Sequence, residues 1–342
     1  MDLTLVMKNF CRRGGVFPLM VSLIVMMAVM AVMMTRVTRG RDGDRRGMSE
    51  NSEVLMRLQG PLTASDPRVL AVLRSAYLVP PSTLPYNLTL HKDIQSYFAG
   101  HSFGWKFYHH YIKHFFNNQQ GGFFVEAGAL DGEFLSNTLW LETALGWTGL
   151  LIETDPNNYR HLAWKRRRAW LSNTCITKEE YPREAVFEVL TKASRLPTWL
   201  YHANTREINT HNTLLHDEMS NSSQRAYTKA QCFPLTSYLL ALNVTLIDFL
   251  SLDIQGHEWG VLRSLPLDRL RVRSLAVEHL AAPNAARGGW SFDMTFVRYM
   301  EEVGYHLVDV YKDIDYFFVL QSDAALRRLS VPLNVTKYQA KQ

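Results

Sequence analysis

Apolar residues form one long run and several short runs along the chain. The long run, Val16–Met34, is a stretch of nineteen residues without a charged side chain. As a helix it would be about 28 Å long, which matches the hydrocarbon core of a bilayer. We therefore predict an uncleaved transmembrane signal-anchor over residues 16–35. A cleaved signal peptide is the alternative, but no small-residue cleavage site closes the run.

Short apolar runs from residue 123 onward alternate with segments of helical spacing. The predicted strands are Phe123–Glu126, Thr148–Ile152, Leu171–Ile176, Glu184–Leu190, Gln231–Leu235, Ile247–Ile254 and Val272–Val277, followed by a hairpin of Tyr305–Val310 and Asp315–Leu320. The predicted helices are Trp105–Phe116, Tyr159–Trp170 and Phe292–Val303, with a further one ending at Leu265. This alternation indicates an α/β fold with a doubly wound sheet over residues 123–322. The polar insertion Ser194–Lys229 stays unassigned.

The remaining segments have simpler patterns. Residues 1–15 would form a cytosolic tail, 36–63 a flexible stalk and 323–342 a C-terminal tail. We predict that residues 64–122 wrap along the domain with helical and extended segments. Asp66 would cap a helix that begins at Pro67.

The net charge of +5 comes largely from arginines beside the apolar run. It therefore does not indicate a nucleic-acid partner, and Lys165–Arg168 is interpreted as a solvated helix face. Four histidines at 101, 109, 110 and 114 have no cysteine or acid at zinc-ligand spacing, so no metal site is predicted.

Two acids and two glycines mark a candidate ligand site. Glu126 and Glu153 each end a predicted strand, and ligands of doubly wound sheets bind beyond the carboxyl ends of the strands. Gly128 and Gly132 let the backbone approach a ligand closely. Their spacing is not the dinucleotide fingerprint. Together the acids favour an adenosyl ligand, although a helix cap or a solvated loop is the alternative for each of them.

Three segments, Val125–Gly132, Leu150–Glu153 and Ser251–Glu258, resemble the motifs of FkbM-type S-adenosylmethionine-dependent methyltransferases. The resemblance implies a Rossmann-like sheet and S-adenosylmethionine as a cofactor. The cofactor-binding residues that it implies are Glu126, Gly128, Ala129, Asp131, Gly132, Glu153 and Asn173, the last beside the adenine.

Catalytic candidates lie in the third of these segments. A sulfonium donor is already activated, so positioning matters most and the acceptor needs at most a base. Asp253, His257 and Glu258 are the candidates, and His257 titrates near neutrality. Alternatively, Asp253 caps the next helix and Glu258 holds the loop. Gln255 departs from the glutamate of many family members, which removes a possible base.

A second resemblance runs from about Asp66 to Val319. Asp66–Pro67, Tyr77–Leu88, Ser136–Thr138 and Gln231–Leu235 are similar to the insect Star proteins. It implies a lumenal or extracellular domain and a non-catalytic role in moving membrane-bound cargo, such as epidermal-growth-factor-like ligand precursors, between the endoplasmic reticulum, Golgi and endosomes. We take trafficking as the leading role and a secretory-pathway O- or N-methyltransferase as the alternative.

Cysteines and glycosylation sequons bear on the membrane orientation. Cys11 precedes the predicted span, so Cys175 and Cys232 could form a disulfide in an oxidising lumen; two buried thiols are the alternative. Four sequons follow the span, at Asn87, Asn221, Asn243 and Asn334. The arginines after the span point the other way by the positive-inside rule. We follow the Star resemblance and expect a lumenal domain.

Overall fold

The computed structural model describes residues 61–89, 104–190, 205–208, 210, 225–267, 270–281 and 290–329. Its strands are β1 (Phe123–Ala127), β2 (Thr148–Ile152), β3 (Trp170–Ser172), β4 (Cys175–Thr177), β5 (Arg183–Leu190), β6 (Arg206–Glu207), β7 (Arg225–Pro234), β8 (Leu246–Leu252), β9 (Arg271–Glu278), β10 (Tyr305–Tyr311) and β11 (Asp315–Leu320). Its helices are α1 (Pro67–Val72), α2 (Gly104–Phe116), α3 (Leu139–Leu145), α4 (Pro156–Trp164), α5 (Leu235–Leu242), α6 (Glu258–Ser264) and α7 (Met294–Glu302). A π turn at Leu73–Tyr77 continues α1.

The large sheet has the strand order β10-β11-β9-β8-β1-β2-β3. The strands from β9 to β3 run parallel, whereas β11 is antiparallel to both of its neighbours. This is a mixed α/β fold with a parallel-rich sheet, and β10 with β11 forms the predicted hairpin. From β1 the chain proceeds to β2 and β3 on one side, and later to β8 and β9 on the other. The gap between β1 and β8 is therefore a topological switch point, where doubly wound sheets bind ligands.

Helix α2 covers one face of the large sheet. It begins at Gly104, one residue before the predicted start, and its buried residues Tyr108, Ile112, Phe115 and Phe116 recur at helical spacing. They join the central core with aromatic and aliphatic residues of β1, β2 and β8. The amphipathic helix expected from the sequence is thus present, with its aromatic side chains packed on the sheet.

Helix α4 differs from its predicted range, Tyr159–Trp170. It begins at Pro156, because the carboxylate of Asp155 accepts hydrogen bonds from the N–H groups of Asn157 and Asn158 and caps the helix. It ends at Trp164, and Arg166 has a positive φ of 57°. The chain turns there, so Trp170 begins β3 instead of ending a helix.

The basic run after α4 was wrongly predicted as a solvated helix face. Lys165 is 7% exposed and Arg167 is fully buried. The Arg167 guanidinium donates to the Glu142 carboxylate at 2.9 Å and to the carbonyl of Gly132. A charge can be buried at this position because acceptors from two other elements meet it. No pattern within the run itself indicates those partners.

Residues 171–176, predicted as one strand, are divided between two sheets. Ser172 ends β3 in the large sheet, whereas Cys175 begins β4 in a second sheet of order β4-β7-β5-β6. Cys175 is paired with Cys232 of β7, and the two form a disulfide. The predicted strands at 184–190 and 231–235 correspond to β5 and to the end of β7.

Residues 78–89, which lie within the wrap expected from the sequence, extend along the edge of the large sheet. Val79 and Leu171 of β3 exchange two backbone hydrogen bonds of 2.9 Å. Further along, the N–H group of Asn87 donates to the carbonyl of Lys165 at 3.0 Å. The wrap thereby covers the open edge of β3, which would otherwise expose unpaired backbone groups.

At the other end of the chain, Ala325 and Leu329 belong to the central core, within a stretch that the sequence assigns to a tail. A 3₁₀ turn over Ala324–Arg328 holds them there.

No helix in the described residues is long and apolar enough to cross a bilayer. The predicted span and stalk up to residue 60, Cys11, and the sequons at Asn221 and Asn334 lie outside those residues. Of the other two sequon asparagines, Asn243 is exposed at the C-terminal cap of α5 and Asn87 is half-buried in the wrap.

Candidate active site

A cavity opens at the switch point of the large sheet. The loops that follow β1, β2 and β8 supply most of its lining, and the second sheet closes one side with Cys175, Ile176 and Phe187. Glu126 and Glu153 both line it, because β1 and β2 run parallel and end at the same edge. The two acids therefore lie at the carboxyl ends of neighbouring strands, as the sequence predicts.

The glycines of the first loop are required by the packing of the protein itself. Gly128 has a φ of 81°, and a Cβ there would collide with the carbonyl oxygen of Asp253. Gly132 has a φ of 74°, and a Cβ there would collide with Leu162 of α4. Both glycines were expected to let the backbone approach a ligand. In the structure Gly128 allows the loops after β1 and β8 to meet, and Gly132 allows the first loop to pack on α4.

Glu126 organises the loop that leads to α3. Its carboxylate accepts hydrogen bonds from the hydroxyls of Ser136 and Thr138, at 2.8 and 2.5 Å, and from the N–H of Asn137 at 2.7 Å. Burial raises its pKa, and the Arg167 guanidinium with these hydrogen bonds opposes the rise. Glu126 therefore positions the residues beside the cavity, and most of its accepting capacity is already used.

Glu153 fixes the first loop from the second strand. Its two carboxylate oxygens accept from the N–H groups of Leu130 and Asp155, at 2.7 and 2.8 Å. Burial raises its pKa to about 8, against the effect of these hydrogen bonds. A carboxylate has about four acceptor positions. Glu153 can therefore hold the loop and still accept hydrogen bonds from a ligand.

The other predicted cofactor residues divide between the cavity wall and its support. Ala129 lines the cavity, and its N–H donates to the carbonyl of Ile152 at 3.0 Å. Asp131 is directed elsewhere and accepts from the N–H groups of Glu133 and Phe134. Asn173 donates to the carbonyl of Glu153 at 2.8 Å. Asp131, Asn173 and Gly132 thus shape the loops without lining the cavity.

Asp253 extends into the cavity from the end of β8. Its carboxylate accepts a hydrogen bond of 2.8 Å from the side-chain amide of Gln255. Asp253 stays accessible to solvent, yet desolvation by the surrounding protein raises its pKa to about 6, and repulsion from Glu126 acts in the same direction. Of the three catalytic candidates, Asp253 is the carboxylate that opens on the cavity.

Glu258 instead holds the loop after β8, the structural role that the sequence left open. It is 1% exposed and accepts from the N–H groups of Ile254 and Gly256, at 2.8 and 3.0 Å. Burial raises its pKa to about 8. Its carboxylate therefore closes its own turn and does not face the cavity.

His257 lies at the rim, between the cavity and the second sheet. Its Nε2 lies 3.2 Å from a carboxylate oxygen of Glu207 and 3.1 Å from the hydroxyl of Thr210. Burial opposes ionisation of Glu207, but hydrogen bonds from His257 and Arg183 outweigh it and lower the Glu207 pKa to about 2. His257 thus connects strand β6 to the loop after β8.

Asn137 is one of the cavity residues that were not among the candidates from the sequence. Its side-chain nitrogen donates to the hydroxyl of Ser251 at 3.0 Å, while its side-chain oxygen is buried without a partner. A buried acceptor of this kind suits the N–H groups of a ligand. The available signal was the run of short polar residues Ser136–Thr138, which precedes α3.

These side chains fit the cofactor implied by the sequence. S-adenosylmethionine offers ribose hydroxyls and an ammonium group as hydrogen-bond donors, and the cavity presents carboxylate and amide oxygens as acceptors.

A family model described as Methyltransferase FkbM domain matches residues 126–307, which is more than half of the chain. No curated protein shows significant similarity to this chain. The matched range begins at Glu126, includes the loops that form the cavity and ends in β10.

Proposed function

The chain belongs to the FkbM methyltransferase domain family, and we propose that it is a methyltransferase that uses S-adenosylmethionine. The observation that carries this proposal is the cavity at the switch point, where Glu153, Asp253 and the unpartnered oxygen of Asn137 present acceptors to one space. This reverses the order of the two roles inferred from the sequence, and the support for the reversal is that the cavity presents acceptors suited to the hydrogen-bond donors of the cofactor.

Each side of the cavity suits a different part of the cofactor. Glu153, at the end of β2, is placed to accept hydrogen bonds from ribose hydroxyls. Asn137, in the loop after β1, suits the ammonium group. When bound, the cofactor supplies a methyl group that its sulfonium charge already activates, so the protein contributes position and the exclusion of water.

Asp253 is the residue that we propose accepts the proton of the methyl acceptor. A pKa of about 6 leaves it mostly ionised near neutral pH and more basic than an ordinary aspartate. His257 contributes by holding the second sheet at the rim through Glu207. Glu258 keeps the loop of Asp253 in place.

We further propose that residues 16–35 anchor the chain in a membrane of the endoplasmic reticulum, Golgi, endosomes or cell surface, with the domain on the lumenal side. The disulfide between Cys175 and Cys232 supports this location, because disulfides persist in oxidising compartments. Cargo trafficking, implied by the resemblance to Star, stays the alternative role.

Calorimetry on the full-length protein tests the proposed cofactor. We expect S-adenosylmethionine and its demethylated product to release heat of binding, and Glu153→Ala to weaken both by about tenfold or more. Glu180→Ala, which truncates an exposed glutamate, should bind like the unchanged protein. The absence of binding heat from the unchanged protein would refute the proposal. Normal cargo export in cells carrying Glu153→Ala with Asp253→Ala would favour trafficking.

A further inference from the structure

A second cavity lies beside the first one, and the two share one residue of their lining, His257. The volume of the second cavity is about 560 Å³, which is within the range of about 300–1,000 Å³ for small-ligand sites. Gly256 continues its wall along the loop after β8. The rest of its described lining comes from the second sheet with its loops and from α6: Lys178, Glu179, Arg183, Glu207, Ile208, Thr210 and Gly260.

The described lining of this second cavity is strongly polar. Ile208 is the one aliphatic side chain in it, whereas five of the residues have ionisable side chains. Lipid tails and other apolar ligands require apolar walls, because a polar group that loses its hydrogen bonds on burial is costly. The ligand that suits the second cavity is therefore hydrophilic.

The charged groups of this wall neutralise one another. The guanidinium of Arg183 donates to the two carboxylate oxygens of Glu207 at 2.8 and 2.7 Å, and to Glu179 at 2.8 Å. Lys178, which is exposed, supplies a second cation, so that two positive and two negative charges balance while His257 is neutral. A strongly charged ligand would have to compete with these ion pairs, whereas an uncharged ligand leaves them intact.

Hydrogen-bond donors and acceptors nevertheless remain along the wall. A guanidinium has five N–H groups, and the described residues accept from the Nε–H of Arg183 and from one N–H of each terminal nitrogen. A second N–H on each terminal nitrogen is thus available to a ligand. The carboxylates have about four acceptor positions each, and the hydroxyl of Thr210 can donate or accept. A molecule with several hydroxyl groups and no charge, as in a sugar, matches such a wall.

His257 presents an acceptor at the boundary between the two cavities. Glu207, with its pKa lowered to about 2, is ionised near neutral pH and can only accept a hydrogen bond. The Nε2 of His257, 3.2 Å away, therefore carries the hydrogen, which leaves the lone pair of the neutral imidazole on Nδ1. No described residue donates to Nδ1, so a ligand hydroxyl can do so.

The position of the second cavity suits a methyl acceptor. Asp253, the proposed base, precedes Gly256 and His257 in the same loop and lines the first cavity. The loop after β8 therefore borders both the cavity of the methyl donor and the second cavity. An acceptor bound in the second cavity has to extend one group past His257, since the reacting atoms must come within about 3.5 Å of each other.

We propose that the second cavity binds the methyl acceptor, and that this acceptor is an uncharged carbohydrate. This inference rests on the proposed methyltransferase function. A hydroxyl of the sugar gives its proton to Asp253, and a lone pair of its oxygen forms the new bond to the methyl carbon. The bond between sulfur and that carbon breaks, and its electron pair stays on sulfur as S-adenosylhomocysteine leaves.

The chemistry of the methylated product tests the proposal. The full-length protein is incubated with a membrane glycoprotein extract and S-adenosylmethionine labelled on its methyl group. The products are hydrolysed in acid to monosaccharides, N-acetylated again and separated by charge. We expect the label in neutral sugars that carry a base-stable methyl ether. Label in methyl esters, in methylated amines, in acidic sugars or in products without a sugar would overturn the proposal.

Two variants tie the product to the second cavity. Thr210→Val removes a hydroxyl and Glu207→Gln removes the charge that orients His257, and each keeps the shape of the side chain. Each should lower the yield of methylated sugar by about tenfold or more. Thr63→Val and Glu180→Gln make the same chemical changes at exposed positions outside both cavities and should have no effect. Full activity in both cavity variants would contradict the proposal.

Cofactor calorimetry separates the two possible failures. Without binding heat from S-adenosylmethionine, the proposed function itself is wrong. With binding heat but no methylated sugar, the methyltransferase proposal stands and the carbohydrate inference fails. Unchanged cofactor binding in Thr210→Val and Glu207→Gln would show that these variants are folded and impaired only toward the acceptor.

Discussion

Gly128 lies where the loops after β1 and β8 cross. Its φ of 81° is unfavourable for any residue with a side chain, and an added Cβ would collide with the backbone of Asp253. We therefore expect Gly128→Ala to lower the free energy of unfolding by about 3 kcal/mol, from backbone strain and the collision together. It should also weaken binding of S-adenosylmethionine. Denaturant unfolding and calorimetry measure the two effects.

Gly304→Ala is the matched control for that substitution. Gly304 has a φ of 91°, but nothing lies within 4 Å of the position of its Cβ. Gly304→Ala should therefore lower the free energy of unfolding by about 1–2 kcal/mol, from backbone strain alone, and leave cofactor binding unchanged. Equal effects of the two substitutions would show that the contact with Asp253 does not matter.

Single residues show how far the sequence predicts the site. Glu126 and Glu153 could be placed correctly, because both follow apolar runs that form neighbouring parallel strands. Their partners could not be predicted. Glu126 is engaged by Ser136–Thr138, and Glu153 by the N–H of Leu130. Such hydrogen bonds depend on loop conformation, which has no periodicity in the sequence.

Strands β4 and β7 carry the disulfide of Cys175 and Cys232, and Cys175 also lines the cavity. The bond closes a loop between cysteines separated by 57 residues. Replacing both cysteines by serine should lower the free energy of unfolding by about 2–4 kcal/mol. Because β4 forms part of the cavity wall, cofactor affinity should fall as well.

The third cysteine provides the control for that pair. Cys11→Ser changes the same functional group and should leave both stability and cofactor binding unchanged. Mass mapping of the unreduced protein checks the premise, since free thiols at both Cys175 and Cys232 would contradict the disulfide and weaken the case for a lumenal domain.

Secondary structure elements were predictable where one face or both are apolar. Strands β1, β2 and β8 are mostly apolar, as buried parallel strands require, and β9 is apolar over Leu275–Val277. The run at 171–176 has apolar residues at both ends, Leu171 and Cys175–Ile176, yet the chain changes sheets within it. The deciding interactions are the pairing of β3 with β2 and of Cys175 with Cys232, both distant in sequence. Periodicity indicates a strand but not the sheet that receives it.

The whole molecule combines two sheets and places its acids at one edge of the larger one. The carboxyl ends of parallel strands meet there, and so do the loops that the family pattern marks. A concentration of buried acids is therefore a consequence of the topology together with the position of each acid after a strand. These neighbouring acids reduce the stability of the free protein, as is common for residues that form a binding site.

The buried acids at this edge of the sheet predict how the stability of the protein depends on pH. Burial raises the pKa of Glu153 and Glu258 from 4.5 to about 8, and that of Asp253 and Asp315 from 3.8 to about 6 and 7. Between the ordinary and the raised values, the folded protein binds more protons than the unfolded chain. These four groups make the free energy of unfolding fall as pH rises from about 4 to about 8, whereas His109, whose pKa burial lowers from 6.5 to about 4, opposes the fall below about pH 6.5. Glu207, with its pKa lowered to about 2, acts oppositely and only below about pH 4.5.

The melting temperature of the full-length protein should accordingly be higher at about pH 5.5 than at about pH 8. Glu258→Gln should reduce this difference, because the amide cannot ionise, whereas Glu302→Gln at an exposed position should leave it unchanged. Scanning calorimetry at the two pH values measures both effects. A melting temperature that rises toward pH 8 would mean that these carboxyl groups are ionised in the folded protein, and that a cation or another partner compensates their charge.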